Sequence, residues 1–123
     1  MSAQGPVLVG TRGMVEGESF ALEYGKSIII GRSRSCDLSV RNCRRWIEAE
    51  EAGTEPKDGA KTVSRRHLKI TFHDANSIEL EDLSSNGTFV DGKRIDRLVV
   101  TDVKETAHEI TLGGGDVFRL EWK

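Results

Sequence analysis

Hydrophobic positions in this chain recur with period two, in short runs separated by polar turns. Phe20, Leu22 and Tyr24 alternate with other residues, which predicts a half-buried strand over residues 19–24. Residues 27–31 read SIIIG, a β-branched run ending on a glycine. That pattern predicts a core strand whose end requires a bulge or a close backbone approach, with Arg32 thrown out of the sheet beyond it. Residues 7–10, 36–40, 68–72 and 78–83 predict further strands, the last two joined by a turn rich in Asp74, Asn76 and Ser77. The run Thr88-Phe89-Val90, Asp91-Gly92, Lys93-Arg94-Ile95 predicts a tight β-hairpin. Residues 98–100, 108–112 and 117–122 add strands, with Phe118, Leu120 and Trp122 on one face and glycines 113–115 making the turn before them. Many short strands at regular spacing predict an all-β fold, an antiparallel β-sandwich or barrel.

Residues 42–61 break this rhythm. Arg44, Arg45, Glu48, Ala49, Glu50, Glu51 and Ala52 favour a turn or two of helix, which then dissolves into Gly53, Pro56 and Gly59. Its charges nearly cancel, so it reads as a solvated insertion pinned to the sandwich by Trp46 and Ile47.

Composition sharpens this picture. A chain of 123 residues with 37% hydrophobic content fills one core, so a single domain over residues 1–123 is expected, its sandwich spanning about 7–122. The formal net charge of −2 excludes a global basic field of the kind that drives binding to nucleic acid or anionic membrane, so any anion site must be local. The opening MSAQGPVLVG lacks the layout of a secretory signal, and apolar runs are short. A soluble, cytoplasmic protein is therefore expected, with Cys36 and Cys43 as reduced thiols.

The candidate chemistry sits at strand ends: Gly31-Arg32, then Ser64-Arg65-Arg66-His67, then Ser84-Ser85-Asn86-Gly87-Thr88. A nucleophilic site built from Ser64, His67 and Asp82 fits poorly. Ser64 and His67 are three residues apart with no nucleophile elbow, and neighbouring arginines disfavour a protonated imidazole. A metal site from Cys36, Cys43, His67 and His73 lacks the paired spacings of zinc ligands, so no metal and no cofactor is expected.

In this order, the blocks GRSRSCDLSV, SRRHLKI and DLSSNGTFVDGKRI resemble the forkhead-associated (FHA) domain, a phosphothreonine-binding module, and the resemblance extends over residues 7–122. It implies a β-sandwich of about eleven short strands whose loops at one end grip a phosphothreonine. By the same resemblance Arg32, Ser64, Arg65, Ser85 and Asn86 are expected to contact the phosphopeptide. Gly31, His67, Gly87 and Thr88 are expected to support the loops, His67 as a brace from below. Arg66 stays open between peptide contact and solvated charge, and Cys36 is expected as a small buried filler.

The chemistry of these residues suits that role. A phosphothreonine carries about −1.5 to −2 charge and three acceptor oxygens, so it needs a cation and fixed donors. A pocket for the threonine γ-methyl is implied as well.

The expected partner is a phosphothreonine-containing protein or peptide, such as a Ser/Thr kinase or its substrate, and the expected role is that of an adaptor rather than an enzyme. The alternative is a phosphate-independent interaction or oligomerisation domain; the oligomeric state is left open. The departure from the family pattern is the insertion, which enters directly before Ser64. It is expected to overhang the peptide groove, with the acidic run 48–51 competing with phosphate for the arginines.

Overall fold

The computed structural model describes residues 5–53 and 62–123. They form eleven strands: β1 (Pro6–Arg12), β2 (Ser19–Ala21), β3 (Ser27–Gly31), β4 (Leu38–Ser39), β5 (Leu68–Asp74), β6 (Ser77–Asp82), β7 (Thr88–Val90), β8 (Lys93–Ile95), β9 (Arg97–Val100), β10 (His108–Leu112) and β11 (Asp116–Trp122). One sheet has the order β2-β1-β11-β10-β7-β8, the other β4-β3-β5-β6-β9. The alternation seen in the sequence is the cause of this layering, because every second residue of each central strand faces the other sheet. Leu8, Ile110, Leu112, Phe118 and Leu120 from the first sheet are buried with Ile30, Leu68, Ile70, Ile78 and Leu80 from the second. The expected β-sandwich of eleven strands is therefore present.

Several local expectations are corrected. The first is the all-antiparallel pairing, since β4 runs parallel to β3, Ile30 opposite Leu38 and Gly31 opposite Ser39. The chain leaves β3 at Gly31, arches through residues 32–37 and returns beside the strand it left. The Asp37 carboxylate steadies the arch by accepting the Ile29 N–H at 2.8 Å. The strand expected over 36–40 shrinks to Leu38–Ser39, because Val40–Asn42 winds into a 3-10 turn. Similarly β2 stops at Ala21, so Tyr24 lies outside the alternation, 72% exposed, with its ring edge-on to Phe72. In the hairpin Asp91 (φ 52°) and Gly92 (φ 84°) both adopt positive φ, the geometry the Asp-Gly pair predicts.

Within 42–61 a helix, α1 (Arg44–Glu51), forms as expected. Trp46 is buried and pins it, whereas Ile47 faces outward and does not. The loop expected after it falls on residues 54–61, outside those described. The helix packs on two 3-10 turns, Val40–Asn42 and Gly13–Val15, the latter following β1 at the same end of the sandwich as Gly31. Among the described residues no helix is long and apolar enough to cross a membrane.

At the opposite end a histidine joins the two sheets. His108, at the start of β10, hydrogen-bonds through Nδ1 to Asp91 (2.6 Å) and through Nε2 to Asp102 (2.7 Å), which follows β9 in the other sheet. Partial burial pulls the imidazole pKa down, but the two carboxylates outweigh it and raise it above its ordinary value. A raised histidine stabilises fully below its unfolded pKa, about 6.5, and loses that contribution as pH climbs through the folded value. The partners are half exposed, which holds the gain near about 1 kcal/mol. His108→Gln is therefore expected to lose about 1 kcal/mol at about pH 5.5 and progressively less toward about pH 9, measured by urea denaturation. An equal loss at both extremes would show that the ion pairs contribute nothing.

Candidate functional site

The loops leaving β3, entering β5, joining β6 to β7 and joining β10 to β11 meet at one end of the sandwich. The first two are zipped together. Arg32 N–H donates to the Ser64 carbonyl (2.9 Å), Ser33 N–H to the Arg65 carbonyl (3.1 Å), and His67 N–H to the Ile30 carbonyl (2.8 Å). Gly31 makes this approach possible, since a Cβ there would overlap the Arg65 carbonyl. The close approach expected from the glycine at the end of SIIIG thus has its partner in the SRRH block.

His67 is fully buried where these loops converge. Its Nδ1 accepts the Ser64 N–H at 3.0 Å, so the ring proton sits on Nε2, which donates to the Gly87 carbonyl at 2.8 Å. Burial lowers the imidazole pKa, against the smaller opposing pull of the Gly87 carbonyl and Asp82. Geometry agrees, because a doubly protonated ring would turn an N–H against the Ser64 N–H. Both ring nitrogens are engaged by backbone, which leaves none for a base acting on the Ser64 hydroxyl. That hydroxyl instead accepts the Ser85 N–H at 3.1 Å.

The third loop is held from two sides. Asn86 Nδ2 donates to the Thr62 carbonyl at 2.9 Å, and Gly87 offers its carbonyl to the Gly113 N–H at 3.0 Å as well as to His67. Thr62 Oγ1 accepts the Gly114 N–H at 2.6 Å, which draws the β10–β11 turn into the same network. From below, Asp82 Oδ1 accepts the Ser84 N–H (3.0 Å), the Ser84 hydroxyl (2.6 Å) and the hydroxyl of buried Thr88 (2.9 Å). The Ser84 oxygen in turn accepts the Gly87 N–H at 2.8 Å. Burial alone would raise the Asp82 pKa, but the Ser84 and Thr88 donors outweigh it and hold the carboxylate below its ordinary value. Sequence reasoning missed Asp82, Ser84 and Thr62 as parts of this scaffold. The first two carried a signal, an aspartate two residues before a serine, which is the spacing of an Asx turn.

The predicted residues divide by exposure. Arg65, Ser85 and Asn86 are exposed, Arg32 and Ser64 half-exposed, while Gly31, His67, Gly87 and Thr88 are buried. Arg66 is exposed. Cys36 departs from its expected role. It is half-exposed rather than a buried filler, because its Sγ–H must reach the Arg65 carbonyl (3.0 Å) across the loop surface. Partial burial raises its thiol pKa.

Three arginines of these loops have no carboxylate partner among the described residues. Among the described residues, arginines at 34, 44, 45, 97 and 119 pair with carboxylates, whereas Arg32, Arg65 and Arg66, like Arg12, Arg41 and Arg94, enter no ion pair. The acidic run on α1 reaches the loop only at Glu50, 3.8 Å from Arg34, while Glu48 binds Arg44 on its own helix. Arg32, Arg65 and Arg66 thus lie on loops that also carry the Ser64 hydroxyl, and His67 joins those loops to the one that carries Asn86.

A family model described as "FHA domain" matches residues 28–120. Among solved structures, the FHA domain of the CT664 protein from Chlamydia trachomatis superposes with a TM-score of 0.69 at 24% identity, covering 97% of each chain. A structure from work on phosphothreonine-dependent FHA domain interactions gives 0.63 at 26% identity, covering 93% of each chain. The FhaA FHA domain, solved with the intracellular domain of Rv3910, gives 0.61 at 27% identity, covering 94% of this chain and 99% of that one. The E3 ubiquitin-protein ligase CHFR of Xenopus tropicalis is 33% identical over 81 residues, 65% of this chain but only 10% of the ligase.

Proposed function

Since the chain belongs to the FHA domain family, we propose that it is a phosphopeptide-binding module that recognises phosphothreonine in a partner protein. The observation that carries this reading is that Arg32 and Arg65, which enter no ion pair among the described residues, lie on two loops that backbone hydrogen bonds zip together at Ser64. Arg32 supplies the charge, Ser64 and Arg65 the further phosphate donors, and Ser85 and Asn86 contact the peptide beside the phosphothreonine. Gly31, His67, Gly87 and Thr88 hold these groups in place. Two structural neighbours are consistent with the reading, one studied for phosphothreonine-dependent interactions and one bound to a protein domain.

On this reading the module is an adaptor without catalytic chemistry, and its partner is a phosphorylated protein such as a Ser/Thr kinase or its substrate. The match to CHFR spans a tenth of that ligase and brings no ligase activity with it. Preference for threonine over serine would rest on a γ-methyl pocket worth roughly 1 kcal/mol, together with the restricted backbone of a β-branched residue.

Titration of one threonine peptide and its phosphorylated twin tests the reading. The phosphorylated form is expected to bind at least about tenfold more tightly, the size of one charge-assisted hydrogen bond of about 1.5 kcal/mol. Equal affinities across a phosphothreonine library would leave only a phosphate-independent interaction domain.

A further inference from the structure

Arg94 stands opposite Phe89 in the β7–β8 hairpin, yet its guanidinium reaches back over the loop that carries Asn86. Its Nε and Cζ lie 3.0 and 3.2 Å from where a Cβ would stand on Gly87, and the edge of the Phe89 ring lies 3.4 Å from the same point. Gly87 also has a positive φ of 98°, so the absence of a side chain there serves both the turn and the seat of this arginine. Arg94 is exposed, and no carboxylate pairs with it among the described residues. Phe89 and Gly87 give the long side chain a surface to lie on. A guanidinium rested on such a surface loses less freedom on forming an ion pair than one projecting into water.

We propose that Arg94 is a specificity-determining residue, which selects phosphopeptides carrying an anionic side chain near the phosphothreonine, on the side of the peptide that passes Asn86. This rests on the phosphopeptide reading and extends it. Arg32 and Arg65 lie on the loops after β3 and before β5, whereas Arg94 enters from the hairpin beyond the third loop. It therefore addresses a different point on the ligand from the one those two address. Two of the α1 carboxylates, Glu48 and Glu50, are already paired with Arg44 and Arg34. A carboxylate and a second phosphate share the required chemistry, and the bidentate fork of arginine accommodates both.

The experiment is a positional phosphothreonine peptide array with Asp, Glu, phosphoserine, Ala or Lys at each flanking position. It is read with the wild-type protein, Arg94→Ala, Arg94→Lys and Arg94→Glu, after thermal melts establish that each variant is folded. The wild type is expected to favour anionic residues at one position by about three- to fivefold, the range of an exposed ion pair, and less at high salt. Arg94→Ala should erase that preference while changing affinity for the all-alanine phosphopeptide by less than about twofold, within the small effects typical of surface substitutions. Arg94→Lys should keep part of the preference, and Arg94→Glu should turn it toward lysine, which a merely structural role would not do. Comparison of the Asp, Glu and phosphoserine arms identifies the anion preferred. Unchanged anionic preference in Arg94→Ala and Arg94→Glu overturns the proposal and leaves phosphothreonine binding standing. Wild-type binding that ignores the phosphate overturns both.

Discussion

Replacing Arg32 with alanine is expected to weaken phosphothreonine-peptide binding by roughly 10- to 100-fold, from the loss of charge-assisted hydrogen bonds of about 1.5 to 3 kcal/mol. The fold should survive. The Arg32 guanidinium enters no ion pair among the described residues, and the Arg32 N–H bond to the Ser64 carbonyl, which zips the loops, belongs to the backbone and remains. The loss should shrink at high salt, since the Arg32 side chain is only half-buried and screening acts on it. Arg34→Ala is the internal comparison. Two residues away in the same loop, Arg34 faces Glu50 and is expected to change binding little. Calorimetric titration of both variants decides the matter; equal effects would mean that the loop acts through general charge and not through the placement of Arg32.

The second large effect is on stability. His67→Ala removes the acceptor of the Ser64 N–H and the donor to the Gly87 carbonyl at a fully buried position. The Ser64 N–H left unpaired costs about 1 to 3 kcal/mol, the Gly87 carbonyl keeps the Gly113 N–H, and the vacated ring volume adds a cavity. A loss of about 3 to 5 kcal/mol in urea denaturation follows, a large part of a typical domain's 5 to 15 kcal/mol. A loss below about 1 kcal/mol would show that the loops hold together without the imidazole. The pH dependence carries its own sign. Because burial lowers the folded pKa, the unfolded chain binds a proton that the folded one refuses. Stability should therefore fall as pH drops below about 6.5 in the wild type, and this component of the slope should vanish in His67→Ala. His108 contributes the opposite slope, so the comparison is best made in a His108→Gln background.

Why some of this was legible in the sequence and some was not comes down to range. The alternation along β5 and β6 and the Asp-Gly hairpin are local signals, and the structure follows them. A two-residue strand such as β4 leaves no period to read, and its parallel pairing depends on an arch closed by Asp37, whose partner Ile29 lies in another strand. The candidate site shows the same division. Gly31 could be assigned a close approach from its place after SIIIG, but the carbonyl it approaches belongs to Arg65, far along the chain. Likewise Gly113 and Gly114 read only as a turn, while in space that turn is tied to Thr62 and Gly87. Arg94 lies in a hairpin whose sequence gives no hint that its head rests over Gly87.

The pairing of β1 with β11 has a consequence for how the chain reaches this state. Residues 27–100 contain every strand of the five-stranded sheet, so that sheet can assemble from a contiguous segment. The other sheet cannot: β1 and β2 join β10, β7 and β8 only through β11, with Leu8 meeting Leu120. As a ribosome delivers the chain, β1 and β2 therefore wait without their partner until residues 116–122 emerge, and closure of that long loop is expected to slow folding. The interval leaves Leu8 and its neighbours uncovered, and it is the period in which the nascent chain is most exposed to aggregation.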